Sequence, residues 1–277
     1  MALPIRTAHD GLELPVIGFG TWRVNGAIGA GVIESALQQG YRLLDSAFNY
    51  GNEGAVGTAI RRSGIPREDI IVTSKLPGRH HSYDEALATI EESVFRMGLD
   101  YIDLYLIHWP NPSKGLYVEA WRALIEAQRR GLVRHIGVSN FNPGHVDNLI
   151  RATGVVPSVN QIELHPNFQQ VELREYDSRH GIITEAWSPI GRAGQLMTDP
   201  VLTSIAEAHG VSVVEVMLRW HVQLGTVALP KAGSPEHQRT NLTLDFELAE
   251  GDMERIAELD NPEGRNHAQD PRWYEEF

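Results

Sequence analysis

The chain has 277 residues, 42% of them hydrophobic, which is enough for a sizeable buried core. A formal net charge of −12 argues against a nucleic-acid or membrane surface driven by electrostatics. The absence of cysteine removes disulfides, thiol catalysis and thiolate metal sites. In chain order, the first signal is Asp10-Gly11, a tight-turn pair flanked by the apolar stretches 5–6 and 12–14. Eight short apolar runs follow, at 16–20, 42–44, 70–73, 102–107, 135–138, 158–160, 182–186 and 227–229. Segments with helical spacing lie between them, among them 28–39, 84–97, 118–130 and 215–221. Gly40, Gly131 and Gly181 each stand where a helix would stop and a strand begin. The first residues lack a basic start before an apolar stretch, and no run of about 18 apolar residues occurs anywhere. The expectation is a cytoplasmic protein without a membrane span.

Eight strand–helix alternations predict a closed parallel α/β barrel, a (β/α)8 TIM barrel, as one domain over residues 1–277. The leading hairpin would cap its bottom. An open doubly wound sheet would carry G-x-G-x-x-G after its first strand. Gly18-Phe19-Gly20 supplies only the first half, since Arg23 stands where the third glycine belongs.

In a parallel barrel every strand C-terminus opens on the same face, where active sites sit. Asp45, Lys75, His108, Ser139-Asn140, Gln161, Trp187 and Lys231 follow strands two to eight in turn. Taken singly, Asp45 reads as a cap, Lys75 as a surface lysine, His108 as a structural histidine and Tyr50 as loop packing. Trp22, Trp109 and Trp187 read equally well as core. Their shared rim is the signal. His80-His81 lies in a loop without a matching ligand set on the rim, so no metal is expected. A lyase using Lys75 as a Schiff-base nucleophile remains open; it requires Lys75 to lack a carboxylate partner.

Four segments carry a resemblance. They are Gly40-Tyr41-Arg42-Leu43-Leu44-Asp45-Ser46-Ala47 with Tyr50, Glu53 and Gly57; Leu104-Tyr105-Leu106-Ile107-His108-Trp109-Pro110; Arg134-His135-Ile136-Gly137-Val138-Ser139-Asn140-Phe141; and Val159-Asn160-Gln161-Ile162-Glu163-Leu164-His165-Pro166. Together they resemble the aldo-keto reductase family across residues 5–271. Within it the chain is similar to the short prokaryotic 2,5-diketo-D-gluconic acid reductase type, to which Trp187 also points.

The resemblance implies NAD(P)H-dependent reduction of small carbonyl substrates (aldehydes, dicarbonyls, keto-sugar acids) by a monomer, with Asp45, Tyr50, Lys75 and His108 as catalytic residues. Tyr50 would protonate the carbonyl oxygen. Lys75 would lower the Tyr50 pKa, because a nearby ammonium stabilises the phenolate. Asp45 would hold Lys75 charged and aimed. His108, most simply neutral, would polarise the carbonyl. Ser139, Asn140 and Gln161 would bind the nicotinamide carboxamide, and Trp187 would stack on its ring. Gly20, Thr21 and Trp22 would lie near the cofactor and the pocket mouth. Trp22, Tyr50, His108 and Trp109 would meet the substrate. A cofactor-sensing partner protein of the same family is the non-enzymatic alternative.

One stretch departs from the family pattern. The adenosine-phosphate motif keeps Lys231 and Asn241, but its Ser is Ala232, its Arg is His237 and its Glu is Thr240. A hydroxyl and a guanidinium for a 2′-phosphate are gone. NADPH is the expected cofactor with only a modest preference over NADH, and Arg239 is the nearby residue that could compensate. The polar tail, with Arg265, His267, Asp270 and Trp273, is expected to shape the substrate mouth.

Overall fold

The computed structural model describes residues 4–276. Strands β1 (Ile5–Thr7) and β2 (Glu13–Pro15) form the expected antiparallel hairpin. Asp10 pins its turn to the strands behind it. The Asp10 carboxylate accepts from Ser158 Oγ at 2.6 Å and from the Leu12 amide at 3.3 Å, and lies 2.8 Å from His135 Nδ1. Leu12 and Leu14 then bury against Leu43, Leu104, Val159 and Ile183, closing the bottom of the barrel.

Eight parallel strands follow: β3 (Phe19–Gly20), β4 (Leu43–Asp45), β5 (Ile71–Leu76), β6 (Ile102–Ile107), β7 (Val133–Ser139), β8 (Val159–Glu163), β9 (Ile183–Trp187) and β10 (Val227–Ala228). Each pairs with the next in sequence order. A bridge between Ile17 and Ala228 joins the last strand to the first. Its hydrogen bonds run from the Ala228 amide to Val16 O at 2.8 Å and from the Gly18 amide to Ala228 O at 2.9 Å. The (β/α)8 barrel expected from the alternation is therefore present. The run 16–20 contributes strand geometry only at its last two residues, because residues 16–18 serve the closing bridge.

Helices cover the outside: α1 (Gly26–Gln39), α2 (Glu53–Ser63), α3 (Tyr83–Met97), α4 (Tyr117–Arg129), α5 (Pro143–Thr153), α6 (Val171–Arg179), α7 (Pro200–His209), α8 (Val213–Leu224), α9 (Pro235–Leu242) and α10 (Glu250–Ala257). Helix α8 runs further than the expected 215–221, since Ser212 and Glu215 form a capping box at its start. Gly40, Gly131 and Gly181 adopt φ of 113°, 78° and 65°, the left-handed turns their positions required. Among the described residues no single helix is long and apolar enough to cross a membrane.

Strands buried on both faces read as continuous apolar runs, as in Ile102–Ile107. Their side chains nonetheless alternate. Leu104 and Leu106 join the cluster inside the barrel, while Tyr105 and Ile107 join the larger one between barrel and helices. This period of two decides what the barrel mouth contains.

Candidate active site

On β4, Leu43 points into the barrel and Leu44 outward, so Asp45 points in again, one layer nearer the mouth. The same step brings Lys75 inward on β5, His108 just past β6, Gln161 on β8, and Glu185 and Trp187 on β9. These residues, tens of positions apart in sequence, become one polar layer above the apolar plug. A cavity of about 580 Å³ opens over it, in the range of small-molecule sites.

Lys75 is fully buried. Its Nζ donates to Asp45 Oδ1 at 2.6 Å and to Ser46 O at 2.8 Å. Burial works against the Lys75 ammonium, but Asp45, Tyr50 and Glu185 together outweigh it and raise the pKa above that of an ordinary lysine. The carboxylate partner that a Schiff-base lysine should lack is thus present. Gln161 Nε2 braces Asp45 Oδ1 from the other side at 2.9 Å and reaches Glu185 Oε2 at 2.9 Å.

Tyr50 sits half-buried at the end of a short turn (Phe48–Tyr50), its ring centroid 5.0 Å from Lys75 Nζ and 5.9 Å from the His108 ring. Asp45, Tyr50, Lys75 and His108 are therefore gathered at one place, and all but Lys75 line the cavity. Lys75 pulls the Tyr50 pKa down, as expected of a nearby ammonium, but burial of the phenol is the larger effect and Asp45 adds to it, so the net shift is upward.

Trp22, Trp109 and Trp187 also line the cavity. Trp22 is exposed at the mouth, with the Arg23 and Arg192 guanidiniums 4.2 and 5.4 Å from its ring centroid. Trp187 is fixed by its Nε1, which donates to Asn140 Oδ1 at 2.8 Å. Gly20 lines the wall, and a Cβ there would come within 2.8 Å of Leu229 O.

Other expected cofactor residues stand differently. Asn140 lines the cavity but is already a bracket, its Nδ2 donating to His108 O and to Ser139 Oγ, each at 3.0 Å. Thr21 is buried below the rim, donating to Asp45 O at 2.8 Å. Ser139 donates to Gln161 O at 2.8 Å. Gln161 spends its amide protons on the two carboxyl groups, which leaves Oε1 as an acceptor. Lys231 lines the far end of the cavity and is exposed. His237 is exposed in the first turn of α9, whereas Asn241 is buried beneath it. Arg239 is turned to α1, its Nε donating to Gln39 Oε1 at 3.2 Å.

Sequence reasoning passed over several lining residues. Ser188, Pro189, Ile190, Arg192 and Ala193 come from the loop after β9, in which Ser188, Arg192 and Ala193 have positive φ. The rim rule that selected Trp187 reaches them too. Glu185, two positions earlier, was missed as an ordinary strand residue. Burial and the nearby Asp45 push its carboxyl up to about 8, with Gln161 and Lys75 pulling the other way. From the tail, Gln269, Tyr274 and Glu276 line the cavity. Of the tail residues expected there, Arg265, Asp270 and Trp273 do not line it, and the His267 side chain lies outside the described residues. Tyr274 packs on Trp109 with centroids 4.5 Å apart, and Glu276 Oε1 approaches His108 Nδ1 to 2.7 Å.

Comparison with known proteins gives one answer. Residues 16–261 match the aldo/keto reductase family. The chain is 46% identical over 276 residues to 2,5-diketo-D-gluconic acid reductase B of a Corynebacterium, covering 99% of each chain. An aldo/keto reductase structure from Brucella melitensis superposes with a TM-score of 0.89 at 45% identity, covering 94% of this chain and all of that one. A mutant of Gox0644 in complex with NADPH superposes with a TM-score of 0.93 at 41% identity, covering 98% of both chains. With the barrel, its rim and matches along nearly the whole length in agreement, the chain belongs to the aldo/keto reductase family.

Proposed function

We propose that the protein reduces small aldehydes and ketones to alcohols with NADPH, and that Tyr50 is the proton donor. One observation carries the reading: a cavity-lining phenol stands beside the buried Lys75–Asp45 ion pair and faces His108. A ketone becomes an alcohol by gaining a hydride on carbon and a proton on oxygen. The hydride is the chemistry that a bound nicotinamide supplies and no side chain can.

The residues fit that cofactor. Gln161 lines the cavity, where its Oε1 is an acceptor for a carboxamide N–H, and the buried Ser139 holds the Gln161 carbonyl from behind. Trp187, locked by Asn140, offers an aromatic face above them, and Lys231 offers a cation at the opposite end. The related structure in complex with NADPH supports this assignment.

Each remaining role belongs to a group of this chain. Tyr50 keeps its proton because burial disfavours phenolate, so the acid form is present across the neutral range. Lys75 stabilises the phenolate as the proton leaves, the moment at which its fixed charge matters. Asp45, held by Gln161, keeps that ammonium aimed. His108 and Tyr50 converge on the position of the carbonyl oxygen. The loss of Ser and Arg at Ala232 and His237 leaves Lys231 as the main contact for a 2′-phosphate, so the preference for NADPH over NADH is modest.

The reading is tested by a panel of aldehydes, dicarbonyls and keto-sugar acids, assayed with NADPH and NADH in parallel. Oxidation of NADPH coupled to alcohol formation is expected in at least one class. Inactivity across the panel with cofactor bound would favour a cofactor-sensing role.

A further inference from the structure

Glu276, near the end of the chain, is built into the catalytic wall. Its backbone amide donates to Asn111 Oδ1 at 3.0 Å and its carbonyl accepts from Asn111 Nδ2 at 2.7 Å, a two-point clamp. Asn111 fits there because residue 78 is glycine: a Cβ on Gly78 would come within 2.2 Å of Asn111 Nδ2. The Glu276 carboxylate then fills a cradle. Oε2 accepts from the Gly78 amide at 2.9 Å, and Oε1 accepts from Asn49 Nδ2 at 2.7 Å. The same Oε1 lies 2.7 Å from His108 Nδ1, a close contact without in-line hydrogen-bond geometry. On either side, the Glu275 carboxylate accepts from the Ser113 amide at 2.7 Å, and Tyr274 packs on Trp109.

Burial opposes the charge on Glu276, but His108, the Gly78 amide and Asn49 outweigh it and hold the carboxyl below the usual range. A fixed negative charge therefore lines the cavity in contact with a residue that must meet the substrate carbonyl.

We propose that Glu276 is a specificity-determining residue that disfavours substrates carrying a carboxylate on the carbon next to the reacting carbonyl, and so selects neutral carbonyl compounds over 2-oxo acids. The proposal rests on the assignment of His108 and Tyr50 to the carbonyl and names the substrate class of that site. In a 2-oxo acid the carboxylate is one bond from the carbon that must lie there. It is brought beside a like charge in a partly desolvated wall, where repulsion is weakly screened. A neutral ester of the same acid meets no such repulsion. Keto-sugar acids fit only where the acid group is remote from the reacting carbonyl.

The test compares phenylglyoxylate with its methyl ester in wild type and Glu276→Gln, which keeps shape and acceptor oxygen but removes the charge. Intrinsic reactivity differs between acid and ester, so the change in their kcat/KM ratio on mutation is what decides. Glu276→Gln should shift that ratio about tenfold toward the acid, chiefly through the KM of the acid. A shift below twofold overturns the proposal. Affinities of the two compounds, read from quenching of cavity tryptophan fluorescence, should show the same shift without turnover. A protein that reduces no carbonyl yet shows the binding shift refutes the reductase reading alone. One that reduces the ester with no shift in either ratio refutes the role of Glu276 alone.

Discussion

The buried pair at the heart of the site makes a stability prediction with a definite size. Lys75 Nζ and Asp45 Oδ1 are 2.6 Å apart, with the lysine side chain wholly buried and the aspartate nearly so. At an effective dielectric of about 20, their gross attraction is roughly 6 kcal/mol. Taking each charge out of water costs several kcal/mol, so the net worth of the pair is small. Removing one partner is different. Lys75→Met leaves Asp45 with only the Gln161 amide at 2.9 Å against burial, and a stranded charge of this kind costs about 3–5 kcal/mol. Asp45→Asn leaves Lys75 without its charged partner, supported by Ser46 O at 2.8 Å and the neighbouring Tyr50. The double variant, Asp45→Asn with Lys75→Met, strands nothing and should recover about 2 kcal/mol or more relative to the sum of the singles. Urea denaturation of the four proteins at neutral pH, with matching m-values, measures this coupling. Additive single effects, or a Lys75→Met loss under about 1 kcal/mol, would refute the claim that the charges neutralise one another in the folded state.

Three further outcomes follow from the site. Tyr50→Phe should lower the single-turnover rate of reduction by about 10²–10⁴-fold, the usual contribution of a general acid, while NADPH still binds; retention of more than a tenth of the rate removes Tyr50 as donor. Glu185 is held protonated up to about pH 8 in the folded protein against an ordinary value of 4.5, chiefly by burial, so the folded state keeps a proton that the unfolded chain releases. Its contribution to stability therefore falls as pH rises from 4.5 to about 8, and Glu185→Gln should flatten the pH dependence of Tm across that window; an unchanged slope would place the proton elsewhere. His237→Arg should strengthen NADPH binding by about one to two powers of ten, the worth of a charge-assisted contact, without improving NADH. If instead Arg239→Ala abolishes NADPH preference and His237→Arg changes nothing, Arg239 leaves Gln39 to hold the phosphate.

Much of the barrel and its rim was legible in the sequence, because both are products of local periodicity. An apolar run between glycine-terminated helices specifies a strand wherever it lies. Each of Asp45, Lys75, Gln161 and Trp187 stands at a strand end, and all strand ends of a parallel barrel open on one face, so their shared rim could be read from the sequence. Which residues of a strand apolar on both sides face inward was decided only by the folded barrel. What the sequence could not decide was how much each group is shielded from water. The direction of the Tyr50 shift depends on burial outweighing Lys75, and the role of Glu185 depends on its neighbours Asp45 and Gln161 from other strands. The tail is the clearest case. Glu276 reaches the site through Asn111, 165 positions away, and through the bare backbone of Gly78. Such contacts have no period and leave no pattern along the chain. They form only once the barrel has brought the loops after β5 and β6 together and left a gap that the last residues fill.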